Sequence, residues 1–380
     1  MKFPGENTST IGARTRYYKY GHGRSNCGGV KEYFMVKDCV FLDTNPALLV
    51  DGSNLLVRLL YARQAGSNLL TESELISSVS DMFIRQLGLQ VKNFNCSSVY
   101  IIFDIGGSHR KQKLFPDYKG NREQAPVAGA QLDTKDYLFS VYGKLRDSVV
   151  ELCRAFNLPV FMETGIEADD IIGLMAEQLA MLGKHCVVLS NDTDFLQLVA
   201  KPTVTCHVPY KKISVNSKNF PDHFNDIKEV KIHPSEYLFY KALVGDKGDN
   251  IPGINRVGYK TLHKLKEAYF ESDQTYLDLY STDPISFIDT VSKLTSTDKF
   301  LTLIKNNKDL ILRNYKLIDL SSTYASAYTQ NQALKFLATN TLPKPKFKEV
   351  SDKYIEIFKT KPSFDMLVEN LDKLSKCFPA

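Results

Sequence analysis

ALLVDG, residues 47–52, decides the fold: four apolar residues run into an aspartate and a glycine, and an amphipathic stretch at 55–62 follows at once. The same arrangement recurs downstream. VYIIFD (99–104) ends on Asp104, and VVLSNDTD (187–194) ends on Asp192 and Asp194. Apolar residues 159–162 precede a helical pattern at 171–182, and 185–189 precede another at 195–199. Apolar runs of this length, parted by helical periodicity, fit a parallel sheet covered on both faces. The class is therefore α/β, with 204–208 and 213–215 expected to extend the sheet.

Outward from these strands the pattern changes twice. Residues 106–133 are polar and basic and lead into a helical stretch through Phe156, an insertion too long for an ordinary strand-to-helix connection and suited to a functional lid. After His233 the strands are expected to stop, with helices at 234–244, 258–270, 297–306, 330–338 and 364–374, and a PKPKFK linker at 343–348. Three regions follow: a flexible arm at 1–45, an α/β domain at 46–232 with its insertion at 106–150, and a helical region at 233–380.

With 380 residues, 43% of them hydrophobic, the chain can bury a sizeable core without disulfides or structural metal. No apolar run approaches membrane-spanning length, and residues 1–20 lack a signal-peptide hydrophobic region, so no membrane association is expected. The seven cysteines form no CxxC pair, which points to a reduced, cytoplasmic protein. The net charge of +5 resides in residues 1–31, where six basic residues and six glycines accompany one acid, Glu6. The remainder is near neutral, so affinity for nucleic acid there must come from local patches.

Three apolar strands ending in aspartate place Asp51, Asp104, Asp192 and Asp194 at the carboxyl edge of the sheet, where open α/β folds carry their sites. GIEADD (165–170) adds Glu167, Asp169 and Asp170 at a helix start, and GDKGDN (245–250) adds Asp246 and Asp249 in a tight turn. Single strand-end and helix-start acids also serve as caps. Glu167 and Asp169 can converge only if the regular helix begins near Ala168. Nine carboxylates on one edge could not all stay ionised without cations. All-oxygen ligation selects a hard ion such as Mg²⁺ or Mn²⁺. Two such ions would clamp a phosphodiester, whereas a structural Ca²⁺ site would not need ligands scattered across about 200 residues.

LLVDGSNLL (48–56), YIIFD (100–104), FPDYKGNRE (115–123), GIEADDIIG (165–173), LSNDTDFLQLV (189–199) and GDKGDNIPGINRVGYKTL (245–262) occur in one order and spacing. In this the chain resembles the flap endonuclease/5′→3′ exonuclease family, most of all its stand-alone phage-type members, over about residues 46–270. The resemblance implies a PIN-like, mostly parallel central sheet flanked by helices. It also implies an arch insertion and a C-terminal helical region with a helix-two-turn-helix at about 240–268. It implies two Mg²⁺, for which Mn²⁺ substitutes. Asp51, Asp104, Glu167 and Asp169 would surround the first ion. Asp192, Asp194 and Asp246 would surround the second, with Asp170 and Asp249 acting through water.

Lys119 and Arg122 match the base of the arch, where a cation offsets transition-state charge and a guanidinium grips phosphate. Arg110, Lys111 and Lys113 add a basic track for a single-stranded 5′ end, and Tyr118 and Phe115 are placed to stack or pack near the junction. In GINRVG (253–258), Gly253 and Gly258 would let the backbone face a phosphate or a bound K⁺, with Lys260 and Lys264 on the duplex backbone. The implied function is a monomeric two-metal nuclease acting near 5′ ends or junctions of duplex DNA and RNA–DNA hybrids. Primer and flap removal beside a single-stranded-DNA-binding protein or another replication protein would be its work, in the host cytoplasm for a phage-type member. A PIN-type ribonuclease would lack the GDKGDN segment, the hairpin and the arch. A non-catalytic junction-binding scaffold would have lost metal ligands, and all nine acids are present.

Overall fold

Six strands form one sheet in the order β3-β2-β1-β4-β5-β6. They are β1 (Ala47–Asp51), β2 (Ser98–Ile105), β3 (Val160–Thr164), β4 (Cys186–Leu189), β5 (Val204–Val208) and β6 (Ile213–Val215). The structure is a computed structural model, and it describes residues 45–65, 70–120, 134–223, 232–258, 260–264, 284–293, 299–339 and 343–378. Residues 1–44 of the expected arm at 1–45, and Arg122 within 121–133, lie outside the described residues. All pairings are parallel except β5 with β6.

Alternation along each strand builds two apolar layers. Leu48, Val50, Ile101 and Phe103 face one, and Leu49, Tyr100 and Ile102 face the other. Both faces are covered, which is why these strands read as unbroken apolar runs.

The helices up to Val244 are α1 (Gly52–Ala65), α2 (Glu72–Phe94), α3 (His109–Leu114), α4 (Thr134–Ala155), α5 (Ala168–Met181), α6 (Phe220–His223) and α7 (Tyr237–Val244). α1, α2 and α4 pack on the face of Leu48 and Val50, and α5, α6 and α7 join the core on the face of Leu49 and Tyr100. α2 begins where the sequence prepares it, with Thr71 and Glu74 in a reciprocal capping box. Residues 195–199 lie in a 3₁₀ helix, Thr193–Ala200, rather than in the α-helix their apolar pattern suggested.

Strands do not stop at His233. Gly245–Asp246 (β7) pairs antiparallel with Ile251–Pro252 (β8), closing the GDKGDN turn. Beyond it come α8 (Pro284–Lys293), α9 (Lys299–Asn306), α10 (Lys308–Ile318), α11 (Ala327–Leu337), α12 (Phe347–Phe358) and α13 (Phe364–Leu374). α8, α10 and α12 were not expected. In α10 the buried face includes Asn314 beside Ile311, Tyr315 and Ile318, and that polar residue interrupts the apolar stripe on which a helix is read. α12 begins at Phe347, inside the supposed linker.

The C-terminal helices belong to the same two layers. Tyr100 of β2 donates its buried hydroxyl to Leu337 O at 2.9 Å. Gly173 of α5 has no side chain because a Cβ there would lie 2.3 Å from Leu320 O. β1 sits between β2 and β4, so the chain crosses over in opposite directions on either side of it. The crevice at the carboxyl ends of β1 and β4 is the switch point where such sheets bind ligands. Among the described residues no helix is long and apolar enough to cross a membrane.

Candidate active site

Asp51 closes β1 at the switch point and is 8% exposed. Asn54 N donates to its Oδ1 at 3.0 Å and Ser190 Oγ, just past β4, to its Oδ2 at 2.8 Å. Burial, with Asp104 and Asp192 close by, pushes its pKa up to about 8. One strand over, Asp104 accepts from Ala168 N at 2.7 Å, where α5 begins. Burial raises its pKa too, and Asp169 and Glu167 add to the effect.

α5 starts at Ala168, so Glu167 occupies the N-cap with extended backbone and Asp169 the first turn. This is the arrangement that lets residues two apart converge. Both carboxylates reach Lys111 Nζ at 2.8 Å, and Asp170 Oδ1 lies 3.6 Å from it. Lys111 is 1% exposed. Burial opposes its charge, yet Asp169, Asp170 and Glu167 hold its pKa well above the ordinary lysine value. Glu167 also pairs with Lys119 Nζ at 2.6 Å. Burial would raise the Glu167 pKa, but Lys111 and Lys119 outweigh it and bring it down to about 2.

A second group forms around Lys241 of α7. Its Nζ lies 2.8 Å from Asp194 Oδ1 and 2.6 Å from Asp246 Oδ2. Asp192 caps the 3₁₀ helix by accepting from Asp194 N at 2.8 Å. Burial and Asp192 raise the Asp194 pKa to about 7 against the pull of Lys241. Asp246 has a lowered pKa, because the Lys241 hydrogen bond and charge, with the Gly248 and Asp249 amides, overcome its burial. Tyr118 joins the two groups. Its hydroxyl is 3.0 Å from both Glu167 Oε2 and Asp249 Oδ2 and can donate to one at a time.

The nine acids named from the sequence gather around Lys111, Lys119 and Lys241 and the end of β1, and four of them, Asp51, Asp104, Asp169 and Asp192, line a cleft of about 1100 Å³ with Lys119 beside them. Ligand oxygens of Glu167, Asp169 and Asp170 lie within 4.8 Å of one another, close enough to share an ion. Raised carboxylate pKa values at Asp51 and Asp194, together with lysines drawn into both groups, mark a site short of positive charge. Oxygen-only donors of this kind fit a hard divalent cation.

The basic residues divide. Lys119 stands at the cleft in left-handed backbone, φ 58°, its N–H donating to Asp249 O at 2.9 Å. Lys113, Lys260 and Lys264 are exposed. Lys111 is not part of a surface track, because three carboxylates draw it into the interior. Arg110 donates to Lys316 O at 2.7 Å and to Asp170 at 3.1 Å. Tyr118 has the Nζ atoms of Lys111 and Lys119 at 5.7 and 5.0 Å from its ring centre, and at 3% exposure it leaves no face open for a base. Phe115 packs under the Arg313 guanidinium at 4.2 Å. Gly253 is required by packing, since a Cβ would lie 2.0 Å from Val244 O, while Gly258 faces open space.

Sequence reading missed Lys241, although a lone lysine within the apolar helix YLFYKALV was a usable signal. It also missed Asn54 and Asn191. Asn191 N and Nδ2 both donate to Asn54 Oδ1, at 3.1 and 2.9 Å, tying the β4 loop to α1. Arg58, Tyr61, Arg146 and Tyr210 line the cleft from positions that carry no motif.

Residues 46–225 match the family model described as the 5′–3′ exonuclease, N-terminal resolvase-like domain. Over those residues the chain carries the nuclease domain of the 5′–3′ exonuclease/flap endonuclease family. Its enzymes are metal-dependent phosphodiesterases, and this chain is one of them. A 5′–3′ exonuclease of Buchnera aphidicola is 28% identical over 278 residues, covering 73% of this chain and 86% of that protein. DNA polymerase I of Bacillus caldotenax is 30% identical over 218 residues, covering 57% of this chain but only 23% of the polymerase. The bacteriophage T5 flap endonuclease, solved in complex with DNA and metal ions, shares the fold. Its TM-score is 0.55 at 22% identity, covering 83% of this chain and 100% of that one.

Proposed function

We propose that this exonuclease-family chain is a two-metal 5′-nuclease. It hydrolyses phosphodiesters near 5′ ends, flaps or junctions of duplex DNA and of RNA–DNA hybrids, and so removes RNA primers and 5′ flaps during replication. The observation that carries this reading is the gathering of nine carboxylates around Lys111, Lys119, Lys241 and the end of β1, with no ligand position substituted.

Asp51, Asp104, Glu167 and Asp169 would hold one Mg²⁺. Asp192, Asp194 and Asp246 would hold the other, with Asp170 and Asp249 acting through water. Bound ions of this type supply an activated water and neutralise the leaving oxygen. The chain's own residues do the rest. Asn54 and Ser190 fix the Asp51 carboxylate from both sides. Lys119, only 2.6 Å from Glu167 in this state, is placed to turn toward the reacting phosphate and offset its charge, with Arg122 as its neighbour in sequence. Lys113, Lys260 and Lys264, all exposed, would meet the DNA backbone, and the 253–258 turn would take a K⁺.

The test is cleavage of a 5′-labelled flap, a nicked duplex and an RNA–DNA hybrid, each with Mg²⁺ and with EDTA. Mg²⁺-dependent release of 5′ products from the flap or nick supports the reading. Turnover in EDTA, or none on any substrate with Mg²⁺, refutes it.

A further inference from the structure

Helix α10 lies beyond the 46–225 family match, yet it touches three parts of the site. Asn314 is 0% exposed, and its Nδ2 donates to Ala242 O at 3.0 Å and to Pro252 O at 2.8 Å. Ala242 is near the end of α7, one residue from Lys241, and Pro252 is in β8, which pairs with the strand carrying Asp246. At the end of the helix, Gln197 Nε2 donates to Ile318 O at 3.0 Å, and two residues on, Leu320 N donates to Gln197 Oε1 at 3.1 Å. The same Nε2 lies 2.9 Å from Asp194 O. α10 is thus bonded to the backbone around both carboxylates that Lys241 bridges.

Core formation does not explain the amide. A leucine would fill position 314 and complete the apolar stripe, but two backbone carbonyls, that of Ala242 fully buried, would lose this donor. Lys241 does not suffice to set the spacing of Asp194 and Asp246 either. An ammonium organises two carboxylates only while no other cation competes for them. Neutral amide bonds to the backbone are indifferent to that competition and hold the same geometry before and after an ion arrives.

We propose that Asn314 and Gln197 are positioning residues that set the distance between Asp194 and Asp246, and hence the affinity of the second cation position. The proposal rests on the two-metal reading. Partners one step behind metal ligands typically change metal affinity by about 10- to 100-fold when lost.

The experiment titrates Mn²⁺ into full-length protein without DNA, following free Mn²⁺ by its EPR signal, for the parent, Asn314→Leu and Gln197→Leu. DNA affinity in EDTA is measured alongside. Expected is a roughly tenfold loss at one Mn²⁺ site alone, with the other site and the DNA affinity within twofold of the parent. Parental affinity at both sites in a folded variant overturns the proposal, and so does equal weakening of both. Gln197 is only half-buried, so Gln197→Leu decides the matter if Asn314→Leu fails to fold. A parent that binds no Mn²⁺ removes the two-metal reading itself, an outcome distinct from failure in the variants.

Discussion

Replacing Lys111 with methionine should unbalance the acidic site while leaving its shape. The ammonium is 1% exposed and sits 2.8 Å from Glu167 Oε2, 2.8 Å from Asp169 Oδ2 and 3.6 Å from Asp170 Oδ1. At an effective dielectric near 20, each of the two short contacts is worth about 6 kcal/mol of attraction. Desolvating the ions offsets most of that, and removal of one partner from a buried pair costs about 3–5 kcal/mol net. In a chain of 380 residues, each kcal/mol moves the melting temperature by about 1.3 °C. Lys111→Met should therefore melt about 4–6 °C below the parent in EDTA. Mg²⁺ should recover most of the loss, since the methionine leaves carboxylates in search of a cation. Thermal melts with and without 10 mM Mg²⁺, combined with Glu167→Gln in a double-mutant cycle, measure the coupling directly. A variant melting within about 2 °C of the parent in EDTA, or a cycle with coupling below about 0.5 kcal/mol, would refute the view that this lysine holds the group together.

Asp51 has a folded-state pKa of about 8, above its unfolded value near 4, so the folded chain keeps a proton that the unfolded chain has shed. In EDTA, stability should therefore fall as pH rises from 5 to 8, by at most about 1.4 kcal/mol per pH unit for this group; Asp51→Asn should flatten that slope, and an unchanged slope in melts across the range would count against it. Asp192→Ala should abolish Mg²⁺-dependent cleavage while DNA binding in EDTA holds or tightens, and near-parental turnover would end the two-metal assignment. Lys119→Ala should lower the single-turnover rate more than DNA affinity, because one charge among many phosphate contacts adds little to binding. A raised dissociation constant with an unchanged rate would make it a binding residue only.

What the sequence disclosed follows from how locally each feature is encoded. The strands around Asp51, Asp104 and Asp192 could be read because apolar runs and their terminal acids are contiguous. The meeting of Glu167 and Asp169 could be framed as a condition on where α5 begins, and the helix does begin at Ala168. Burial was not legible. Lys111 and Lys113 look alike two residues apart, yet one ion-pairs inside the protein and the other faces water. Tyr118 reads as an exposed aromatic beside a lysine, and only the third dimension reveals that both carboxylate groups lie within reach of its hydroxyl. Lys241 and Asn314 were hidden for a related reason. Each is a polar residue on an apolar helix face, where periodicity alone cannot tell an interruption from a purpose.

The bond from Tyr100 to Leu337 spans 237 residues, and it sets an order of events while the chain is being made. All six strands of the large sheet have been synthesised by Val215, but the acceptor for the Tyr100 hydroxyl is still 122 residues from synthesis. At about 5–20 residues per second that wait lasts roughly 6–24 s. Throughout it, the sheet face bearing Tyr100 lacks the cover later given by Phe336 and Leu337 of α11. For those seconds the nascent nuclease carries an open apolar surface and a thirsty hydroxyl, the combination that chaperones bind. Translation speed across residues 216–337 thus becomes a determinant of yield that no contact in the finished protein would disclose.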